Sequence, residues 1–421
     1  MSFETISVIG LGYIGLPTAA MFASRKKKVI GVDVNQHAVD TINQGKIHIV
    51  EPDLDMIVHA AVVEGYLKAV SKPEPADAFL IAVPTPFLPC NEGDVPEPDL
   101  SYIKSACEGI APVLKKGDLV ILESTSPVGA TEQVAAWLAE ARTDLTFPQV
   151  GGENADVNVA HCPERVLPGH VVRELVENDR VIGGMSSRCS ERSVELYKTF
   201  VQGDCVITNA RTAEMAKLTE NSCRDVQIAF ANELSVICDK LDINVWELIS
   251  LANRHPRINI LQPGPGVGGH CIAVDPWFIV SKTPEEAKLI HTARLVNDAK
   301  PEWVIDKVKL AIADFLQANP SKTAKDVTIA CYGLAFKPDI DDLRESPALS
   351  ITKQIVKMHS GTVLAVEPNI QHVPESLSNV KLYAFDDAKK EADIHVVLVD
   401  HKEFKECSPK FEFVIDAKGI W

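Results

Sequence analysis

The stretch Ile6-Ser-Val-Ile-Gly10-Leu-Gly12-Tyr-Ile-Gly15-Leu-Pro17 decides how the first part of the chain folds. A short apolar run leads into three glycines with the spacing Gly-x-Gly-x-x-Gly, and a helical segment, Thr18 to Ser24, follows. A second apolar run, Val29 to Val32, comes next and ends in Asp33. Strand, tight turn, helix and strand in this order predict the first unit of a parallel sheet covered by helices.

The three glycines match the needs of a dinucleotide-binding turn. Gly10 permits the tight turn, Gly12 lets a pyrophosphate approach the backbone, and Gly15 lets helix and strand pack closely. The N-terminus of the helix offers N–H groups to a phosphate. We expect Asp33 to accept hydrogen bonds from the adenosine ribose and to repel a 2′-phosphate, which favours NAD over NADP. A glycine-rich turn without a ligand is the alternative.

Further strands are followed by polar turns. The apolar runs Ala78 to Val83 and Leu119 to Leu122 are typical of buried parallel strands and precede Thr85 and Thr125. Ligands bind at the carboxyl ends of such strands, so both threonines are candidate cofactor contacts, with ordinary capping hydroxyls as the alternative. The segment Leu88 to Pro98 is predicted to be a loop without evident chemistry.

A short strand, Val157 to Ala160, precedes Cys162-Pro-Glu164-Arg165. A glutamate beside an arginine suits acid/base work and anion binding, and a surface salt bridge is the alternative.

One long helix is predicted from about Thr212 to Leu241, because no Gly or Pro interrupts it. Lys217, Asn221 and Arg224 are spaced to donate hydrogen bonds to an oxygen that becomes negative, with a solvated polar face as the alternative. The apolar residues of this helix are expected to form one broad buried stripe. They are Met215, Leu218, Ile228, Phe230, Ala231, Leu234, Ile237 and Leu241.

The segment from Pro263 to Pro276 alternates Gly and Pro and then places Cys271 four residues before Asp275. Such a run forms neither helix nor regular strand, so we expect backbone that lets a ligand approach closely. A thiol at its end can serve as a nucleophile, and a surface loop with a buried cysteine is the alternative. A basic segment, Arg254 to Arg257, comes before it and suits a diphosphate. Two helical segments follow, the second over about Pro301 to Leu316.

The last part of the chain alternates strands and helices again, which predicts a second parallel sheet without the glycine fingerprint. Lys337 and Arg344 lie in the loop after its first strand, where an anion could bind, and a purely structural domain is the alternative. The strands are Val327–Tyr332, Thr362–Val366, Ile394–Val399 and Phe413–Asp416, with a helix over Pro347–Met358.

The amino-acid composition limits the classes of protein to which the chain can belong. The 421 residues suggest two or three domains, with 46% hydrophobic and 24% charged residues. The net charge of −16 argues against general nucleic-acid binding. Ten scattered cysteines without a Cys-x-x-Cys pair predict neither a zinc site nor a disulfide framework, and no metal is expected. No secretory signal or membrane-length apolar run is evident, so we expect a cytoplasmic protein without membrane contact.

Together the motifs resemble the UDP-glucose/GDP-mannose dehydrogenase family over nearly the whole chain. The blocks that carry the resemblance are Gly10–Pro17, Glu123–Gly129, Cys162–Arg165, Lys217–Asn221, Gly266–Asp275 and Gly333–Arg344. The resemblance implies an α/β fold with two Rossmann-like doubly wound parallel-sheet domains joined by a central all-helical domain. The expected bounds are 1–208 for NAD binding, 209–318 for the helical dimerisation domain with the cysteine loop, and 319–421 for UDP-sugar binding.

The family's chemistry is the four-electron oxidation of a sugar C6 alcohol to a carboxylate with two NAD. By resemblance, Cys271 forms a thiohemiacetal and then a thioester. Lys217 is the acid/base and oxyanion donor and is helped by Asn221. Asp275 and Glu164 handle water and protons, and Thr125 holds a water. The implied catalytic residues are therefore Cys271, Lys217, Asn221, Asp275, Glu164 and Thr125.

The resemblance also implies two binding sets and a homodimer built through the long helix, with Arg257 reaching the neighbour's site. The NAD contacts are Gly10, Gly12, Tyr13, Ile14, Gly15, Asp33, Thr85, Thr125 and Arg344. The nucleotide-sugar contacts are Arg165, Val166, Lys217, Asn221, Arg224, His255, Arg257, Gly266, Phe336 and Lys337.

Within the family, the segment Asn253–Arg257 and the loop through Trp277 look most like bacterial members that act on a UDP-N-acetylhexosamine. The implied reaction converts UDP-N-acetyl-D-mannosamine to UDP-N-acetyl-D-mannosaminuronate for surface polysaccharide of the enterobacterial common antigen type. The alternatives are a 6-dehydrogenase for UDP-GlcNAc, UDP-GalNAc or UDP-glucose, a two-electron hydroxyacid dehydrogenase, and a catalytically idle NAD-binding regulator.

Overall fold

The computed structural model describes residues 3–49, 51–91, 93–166, 169–269, 271–405 and 410–421. The described residues fall into two compact units. The first is Met1–Glu220 with Trp277–Lys282, and the second is Asn221–Pro276 with Thr283–Trp421. In this described part of the chain, every helix is too short or too polar to cross a membrane.

The first unit contains an eight-stranded sheet in the order β3-β2-β1-β4-β5-β6-β7-β8. Its strands are β1 (Thr5–Ile9), β2 (Lys28–Val32), β3 (Leu67–Val70), β4 (Ala78–Ile81), β5 (Leu119–Leu122), β6 (Asn158–His161), β7 (Arg180–Gly184) and β8 (Cys205–Asn209). All neighbouring strands pair in parallel except β6 and β7, which are antiparallel. The crossover between β3 and β4, from one side of β1 to the other, gives the doubly wound order that the sequence predicted.

Helices cover both faces of this sheet. They are α1 (Gly15–Ser24), α2 (Gln36–Asn43), α3 (Leu54–Val63), α4 (Ser101–Ile110), α5 (Ala130–Ala141), α6 (Pro148–Gly151), α7 (Val171–Glu177) and α8 (Ser187–Tyr197), with 3-10 turns at Ala111–Val113 and Gly152–Asn154. Strand β4 shows the two-sided burial, since Leu80 joins one hydrophobic core while Phe79 and Ile81 join the other. Successive strand residues point to opposite faces, so an all-apolar strand needs a core on each side.

The segment Leu88 to Pro98, predicted as a loop, begins and ends as a hairpin. Phe87 and Pro98 form an antiparallel bridge, and the N–H of Leu88 donates to the carbonyl of Glu97 at 2.8 Å. The ring of Phe87 contacts that of Phe278 edge to face, with ring centroids 6.1 Å apart. The polar turn is therefore anchored at its base.

Two long and two short helices lie between the two sheets in the described part of the sequence. They are α9 (Ala210–Lys240), α10 (Val245–Ala252), α11 (Asp275–Lys282) and α12 (Lys288–Ala318). Helix α9 agrees within two residues with the helix predicted from Thr212 to Leu241. Helix α12 does not agree with the prediction, which placed its start near Pro301. It begins at Lys288 and continues through Pro301.

A proline in a helix interior removes one backbone hydrogen bond, so a start at Pro301 was the natural expectation. Buried side chains on both sides of it, Arg294, Asn297 and Val304, pack this helix within the second unit. Tertiary packing therefore overrides the local signal.

The predicted buried stripe of α9 is wrong for half of its members. Leu218 and Ala231 are buried, but Met215, Phe230, Ile237 and Leu241 are exposed, Phe230 to 53% and Leu241 to 61%. The buried face of this helix is mixed. It carries small apolar residues, such as Ala213 and Ala229, and polar residues that include Ser222, Asp225, Asn232 and Ser235. A periodic apolar pattern identifies a face that avoids water, but it does not say whether the same chain covers that face.

The second unit contains a four-stranded parallel sheet in the order β10-β9-β11-β12. Its elements are β9 (Thr328–Tyr332), α13 (Pro347–Met358), β10 (Thr362–Val366), α14 (Phe385–Glu391), β11 (Ile394–Val397), α15 (Lys402–Lys405) and β12 (Val414–Asp416), with 3-10 turns at Ala324–Asp326 and Glu375–Leu377. In β9, Ile329 and Cys331 join one core while Ala330 and Tyr332 join another. The predicted fold class, two doubly wound sheets with long helices between them in the chain, is confirmed.

We predict that the turn after β1 tolerates no side chain at Gly10. A Cβ there would lie 2.6 Å from the carbonyl oxygen of Ala82, and the residue has a φ of +90°. Gly117, in the same unit, has a φ of +94° but no other heavy atom of the described residues within 4 Å of such a Cβ. Gly117→Ala should lower the free energy of unfolding by about 1 kcal/mol, from left-handed backbone strain alone. Gly10→Ala should lower it by roughly 2 kcal/mol more, because overpacking is added.

Urea unfolding of both variants and the wild type, without cofactor, measures these two free energies. Equal unfolding free energies for Gly10→Ala and Gly117→Ala would contradict the close approach of the turn to Ala82.

Candidate active site

The glycine turn after β1 has the geometry that a dinucleotide needs. A Cβ at Gly15 would lie 1.8 Å from the carbonyl oxygen of Gly10, so helix α1 approaches the turn too closely for any side chain. A Cβ at Gly12 would meet no other heavy atom of the described residues within 4 Å. The space that a side chain would fill at Gly12 is open, and the residues present therefore fit a pyrophosphate against this backbone. Tyr13 and Ile14 complete the turn before α1.

Asp33 lies directly after β2 and organises the same turn. One carboxylate oxygen accepts a hydrogen bond from the N–H of Leu11 and the other from the N–H of Asn35, both at 2.8 Å. The residue is half-buried. A carboxylate has further lone pairs on both oxygens, so it can also accept from ribose hydroxyls.

The turns after β4 and β5 are tied together by a serine. The hydroxyl of Ser124 donates to the carbonyl of Val83 at 2.7 Å. The hydroxyl of Thr85 is buried and has no hydrogen-bond partner within the described residues, whereas Thr125 is half-buried. Ser126, which the sequence reading passed over, also has a buried hydroxyl without a partner among them. Buried polar groups are normally paired, so the unsatisfied hydroxyls suit a ligand at this edge of the sheet.

Glu164, predicted as an acid/base residue, belongs to a buried ion pair. One carboxylate oxygen lies 2.7 Å from Nη1 of Arg180, and both side chains are 3% exposed. Its other oxygen accepts from the N–H of Arg165 at 2.7 Å. The side chain of Arg165 pairs with Glu220 at 2.6 Å, and Val166 packs against the hydrophobic core. Both oxygens of Glu164 are therefore held by neighbouring groups.

A second buried acid, Glu123, lies beside this ion pair and had no role in the sequence reading. Its carboxylate accepts a hydrogen bond from the hydroxyl of Tyr197 at 2.5 Å, and its second oxygen has no partner in the described residues. Burial raises the pKa of Glu123 to about 7, and the charges of Arg180 and Lys217 oppose that shift. These residues come from separate elements, so no spacing in the sequence could have revealed the cluster.

His161, at the end of β6, is the neutral member of this region. Burial lowers its pKa to about 3, and the charge of Lys217 adds to the effect. Lys217 is 9% exposed, so the predicted acid/base lysine belongs to a buried and electrostatically coupled region of the first unit.

In the second unit, three predicted catalytic residues are directly connected. The side-chain amide of Asn221 donates to a carboxylate oxygen of Asp275 at 2.5 Å. The N–H of Asp275 donates to the carbonyl of Cys271 at 2.8 Å, in the turn that leads into α11. The side chain of Cys271 is exposed, and Asp275 is buried. The turn therefore exposes the thiol of Cys271, while the amide of Asn221 holds the carboxylate of Asp275.

Three glycines of the cysteine loop lie close to other groups of the same unit, and the close approach of a ligand to this loop stays a prediction. A Cβ at Gly268 would lie 2.6 Å from the carbonyl oxygen of Glu345, and one at Gly269 would lie 2.9 Å from the ring of Phe336. At Gly266, a Cβ would lie 3.0 Å from Pro347. The glycines therefore let the loop pack tightly on the segment from Phe336 to Pro347.

A cavity of about 500 Å³ in the second unit borders this loop. Arg224, Gly266 and Phe336, three predicted substrate contacts, line it. Lys418 and Asp400 also line it and were missed, because they follow β12 and β11, which are far from the cysteine loop in the sequence. Nζ of Lys418 lies 3.1 Å from the carboxylate of Asp400. A cavity with two cations and one aromatic side chain suits a nucleotide with a diphosphate.

The remaining predicted contacts of the second unit do not line this cavity in the described part of the chain. His255 and Arg257 are exposed on a loop that Asn253 closes by two hydrogen bonds to Ile260. Lys337 is half-buried beside Phe336.

Arg344, a predicted NAD contact, pairs with Asp342 at 2.6 Å. Among the described residues, no group of three or more His, Cys, Asp or Glu side chains is placed to hold a metal ion.

Three models of the UDP-glucose/GDP-mannose dehydrogenase family match successive parts of the chain. The NAD binding domain matches residues 4–201, the central domain 211–299 and the UDP binding domain 330–421.

Relatives match over the full length. A UDP-N-acetyl-D-mannosamine dehydrogenase of Yersinia pestis is 68% identical over 425 residues, which cover 100% of both chains. An NDP-N-acetyl-D-galactosaminuronic acid dehydrogenase of Ralstonia solanacearum is 63% identical over 424 residues, covering 100% of this chain and 97% of that protein. The solved structure of a UDP-D-ManNAc dehydrogenase from Pyrococcus horikoshii is 38% identical, covers 99% of this chain and 96% of its own, and has a TM-score of 0.86.

We predict that Glu123 makes stability depend on pH near neutrality. Its pKa rises from 4.5 to about 7 in the folded protein, so the folded state keeps a proton that the unfolded chain releases. The stability from this group is complete below the unfolded pKa and is lost as pH rises through the folded pKa. Relative to Glu123→Gln, the wild type should lose about 3 kcal/mol of unfolding free energy over this range.

Urea unfolding of both proteins at a series of pH values measures the difference. Tyr197→Phe removes a hydrogen bond to the carboxylate, so it should move the loss to higher pH. Parallel pH profiles for the wild type and Glu123→Gln would contradict the assignment.

Proposed function

We propose that this chain, which belongs to the UDP-glucose/GDP-mannose dehydrogenase family, oxidises the C6 alcohol of UDP-N-acetyl-D-mannosamine to the carboxylate with two NAD. The predicted family and the NAD cofactor are confirmed. The substrate is inferred from the 68% identity, over the full length, to a protein named UDP-N-acetyl-D-mannosamine dehydrogenase. The product, UDP-N-acetyl-D-mannosaminuronate, would serve surface polysaccharide of the enterobacterial common antigen type.

The residues of the first unit prepare the alcohol for oxidation in this proposal. The turn from Gly10 to Gly15, with Asp33, Thr85 and Thr125, would hold NAD, which would supply the hydride acceptor for both oxidations. Lys217 takes the hydroxyl proton, and Glu164, paired with Arg180, helps to pass protons to water.

The second unit holds the sugar between the two oxidations in the proposal. The sulfur of Cys271 adds to the aldehyde carbon, the C=O π bond opens, and its oxygen takes the thiol proton. The C6–H that the aldehyde already carries then lies on a tetrahedral carbon, from which it can leave as hydride. Lys217 and Asn221 donate hydrogen bonds to the oxygen that becomes negative. A side-chain amide has two N–H bonds, so Asn221 can donate to Asp275 and to this oxygen together.

Hydrolysis completes the reaction. After the second oxidation the sugar is a thioester on Cys271. Water attacks the carbonyl carbon, the C–S bond breaks, and the thiolate leaves. Asp275 takes the proton of the attacking water, and Thr125 holds a water in place. One alcohol, two NAD and one water are consumed for each carboxylate formed.

The residues that bind the nucleotide-sugar are likewise proposed. The uridine diphosphate part occupies the cavity lined by Arg224, Gly266 and Phe336, and Lys418 joins them because its ammonium borders the same space. The other proposed contacts complete the set. They are Arg165, Val166, Lys217, Asn221, His255, Arg257 and Lys337. The division at 1–208, 209–318 and 319–421 also remains a prediction.

A second candidate substrate rests on a specific observation. The relative from Ralstonia solanacearum is 63% identical and is named for N-acetyl-D-galactosaminuronic acid. N-acetylmannosamine and N-acetylgalactosamine share the acetamido group and the C6 alcohol and differ in orientation at C2 and C4. We favour UDP-N-acetyl-D-mannosamine because the identity to the relative named for that sugar is higher.

An assay of NADH formation with UDP-ManNAc, UDP-GlcNAc, UDP-GalNAc and UDP-glucose tests the substrate. The proposal predicts the highest kcat/KM with UDP-ManNAc and two NADH per product. A higher kcat/KM with UDP-GalNAc supports the second candidate instead. One NADH per product indicates a two-electron dehydrogenase, and no NADH with any sugar supports an NAD-binding regulator.

The polypeptide is proposed to act as a homodimer in the cytoplasm. Apolar side chains are exposed in succession along α9 and the segment after it. They are Phe230, Val236, Ile237, Leu241, Ile243, Leu251 and Ile258. A second copy of the chain is the partner that would cover such a face. Buried thiols such as Cys107 and Cys331 are compatible with a reducing compartment.

We predict that Cys271→Ala and Cys271→Ser lower uronate formation by at least about 1,000-fold, because the second oxidation needs the tetrahedral sulfur adduct. Cys90→Ser, at another exposed cysteine, is the matched control and should keep normal activity. The measurement is uronate and NADH formed per UDP-sugar consumed. Normal uronate formation by Cys271→Ala would rule out the covalent mechanism.

We predict that Leu241→Asp weakens self-association by at least about 30-fold, because a charge would be buried at the centre of an apolar contact. Val150→Asp, which changes a residue 85% exposed in the first unit, is the control. Analytical ultracentrifugation over a range of concentrations measures the dissociation constant. An unchanged mass for Leu241→Asp would place the dimer contact elsewhere.

A further inference from the structure

The carboxylate of Glu214 is buried and fully engaged by the start of another helix. Glu214 belongs to the first turns of α9 and is 1% exposed. One of its oxygens accepts from the N–H of Gly129 at 2.6 Å. The other accepts from the N–H and the hydroxyl of Thr131, at 2.7 and 2.6 Å. Three donors converge on this one side chain.

These donors belong to the N-terminus of α5, whose own capping residue has no side chain. Gly129 occupies the cap position with a φ of +97° and makes no side-chain hydrogen bond there. The first N–H groups of a helix have no partner within the helix, and a negative charge near them is favourable. Glu214 therefore supplies from α9 the acceptor that α5 lacks. Burial raises its pKa, and the three donors oppose this by stabilising the anion.

The hydrogen bonds join two parts of the proposed active site. The turn from Thr125 to Gly129 leads directly into α5 and carries the proposed cofactor contact. Lys217, the proposed acid/base, follows Glu214 by three residues on α9, which places the two side chains on neighbouring positions of one helix face. The capping interaction thus fixes the turn with Thr125 relative to the helix turn with Lys217.

A second, exposed contact joins the same two helices and provides a comparison. Arg211 of α9 and Glu132 of α5 form a two-pronged ion pair, with N–O distances of 2.6 and 2.7 Å. Both side chains are largely exposed, and exposed pairs contribute little to stability because water and salt screen them. The buried carboxylate of Glu214 is the contact that can fix the geometry.

We infer that Glu214 is a positioning residue, which caps α5 from α9 so that the turn bearing Thr125 and the acid/base Lys217 keep one fixed separation. Without it, the two groups would no longer meet the reacting carbon and the cofactor together. The inference rests on the proposed function for its effect on catalysis. The structural part of it, the capping of α5, does not.

Glu214→Gln tests the inference with little change of shape. Glutamine places an NH₂ group against one of the three donors, so at least one hydrogen bond is lost. We expect kcat to fall by about 10- to 100-fold, as for a small misplacement of reacting groups, while KM for the UDP-sugar changes less than about twofold. Thr131→Val removes only the hydroxyl donor and should show the same split to a smaller extent.

Hydrogen–deuterium exchange of the peptide over residues 124–133, without cofactor or substrate, gives a readout that does not depend on activity. The amides of Gly129 and Thr131 should exchange at least about 10-fold faster in Glu214→Gln than in the wild type. Glu132→Gln, which breaks only the exposed pair between the same helices, should match the wild type in both exchange and kinetics.

Three outcomes overturn the inference. Unchanged exchange in Glu214→Gln overturns the capping. Faster exchange with unchanged kcat reduces Glu214 to a structural cap, and an equal kcat loss in Glu132→Gln shows that any contact between the helices suffices. A wild type that oxidises no UDP-sugar overturns the proposed function instead, and the exchange experiment then still decides whether Glu214 holds the turn.

Discussion

The buried ion pair between Asp225 and Arg294 holds the loop that carries Cys271. Arg294 of α12 lies 2.6 Å from Asp225 of α9, and both are almost completely buried. Asn297 donates to the same carboxylate and accepts from Asn232, whose amide oxygen receives the N–H of Gly264. Breaking a buried ion pair costs roughly 3–5 kcal/mol, so this network holds the start of the cysteine loop firmly. The N–H of Gly264 in the loop thereby depends on side chains from two helices.

The turns after β1 and β9 are built in the same way but have different surroundings. In the first, the N–H of Gly10 donates to Val32, and Asp33 accepts from Leu11. In the second, the N–H of Gly333 donates to Val366, and Glu367 accepts from Leu334, Ala335 and His401. Asp33 is half-buried with open space at Gly12, whereas Glu367 is 2% exposed and Ala335 is fully buried. An acidic residue after the second strand thus holds the turn in each sheet, Asp33 beside open space at Gly12 and Glu367 in a buried position.

Local sequence patterns predicted well those helices and strands whose ends are determined by adjacent residues. The strand at β5 and the helix α13 begin and end where the sequence placed them, because apolar runs and a helix-capping serine are local signals. Helix α12 failed because packing outweighs Pro301. In the candidate site, the glycine turn could be predicted from the spacing of its glycines alone. The cluster of Glu123, Arg180 and Tyr197 was not, because tertiary folding brings together residues that no spacing rule connects.

The polar groups on the buried face of α9 hold other segments of the second unit in place. Its inner face must fix a loop and a second helix in set positions, and only directional groups such as Asp225, Asn232 and Ser235 achieve that. Apolar contacts are non-directional and would leave the cysteine loop free to shift. Because these polar groups occupy part of the inner face, several large apolar residues of the helix, such as Phe230 and Ile237, lie on the outer face. The fixed start of the loop and the exposed apolar surface thus both follow from how residues are distributed on α9.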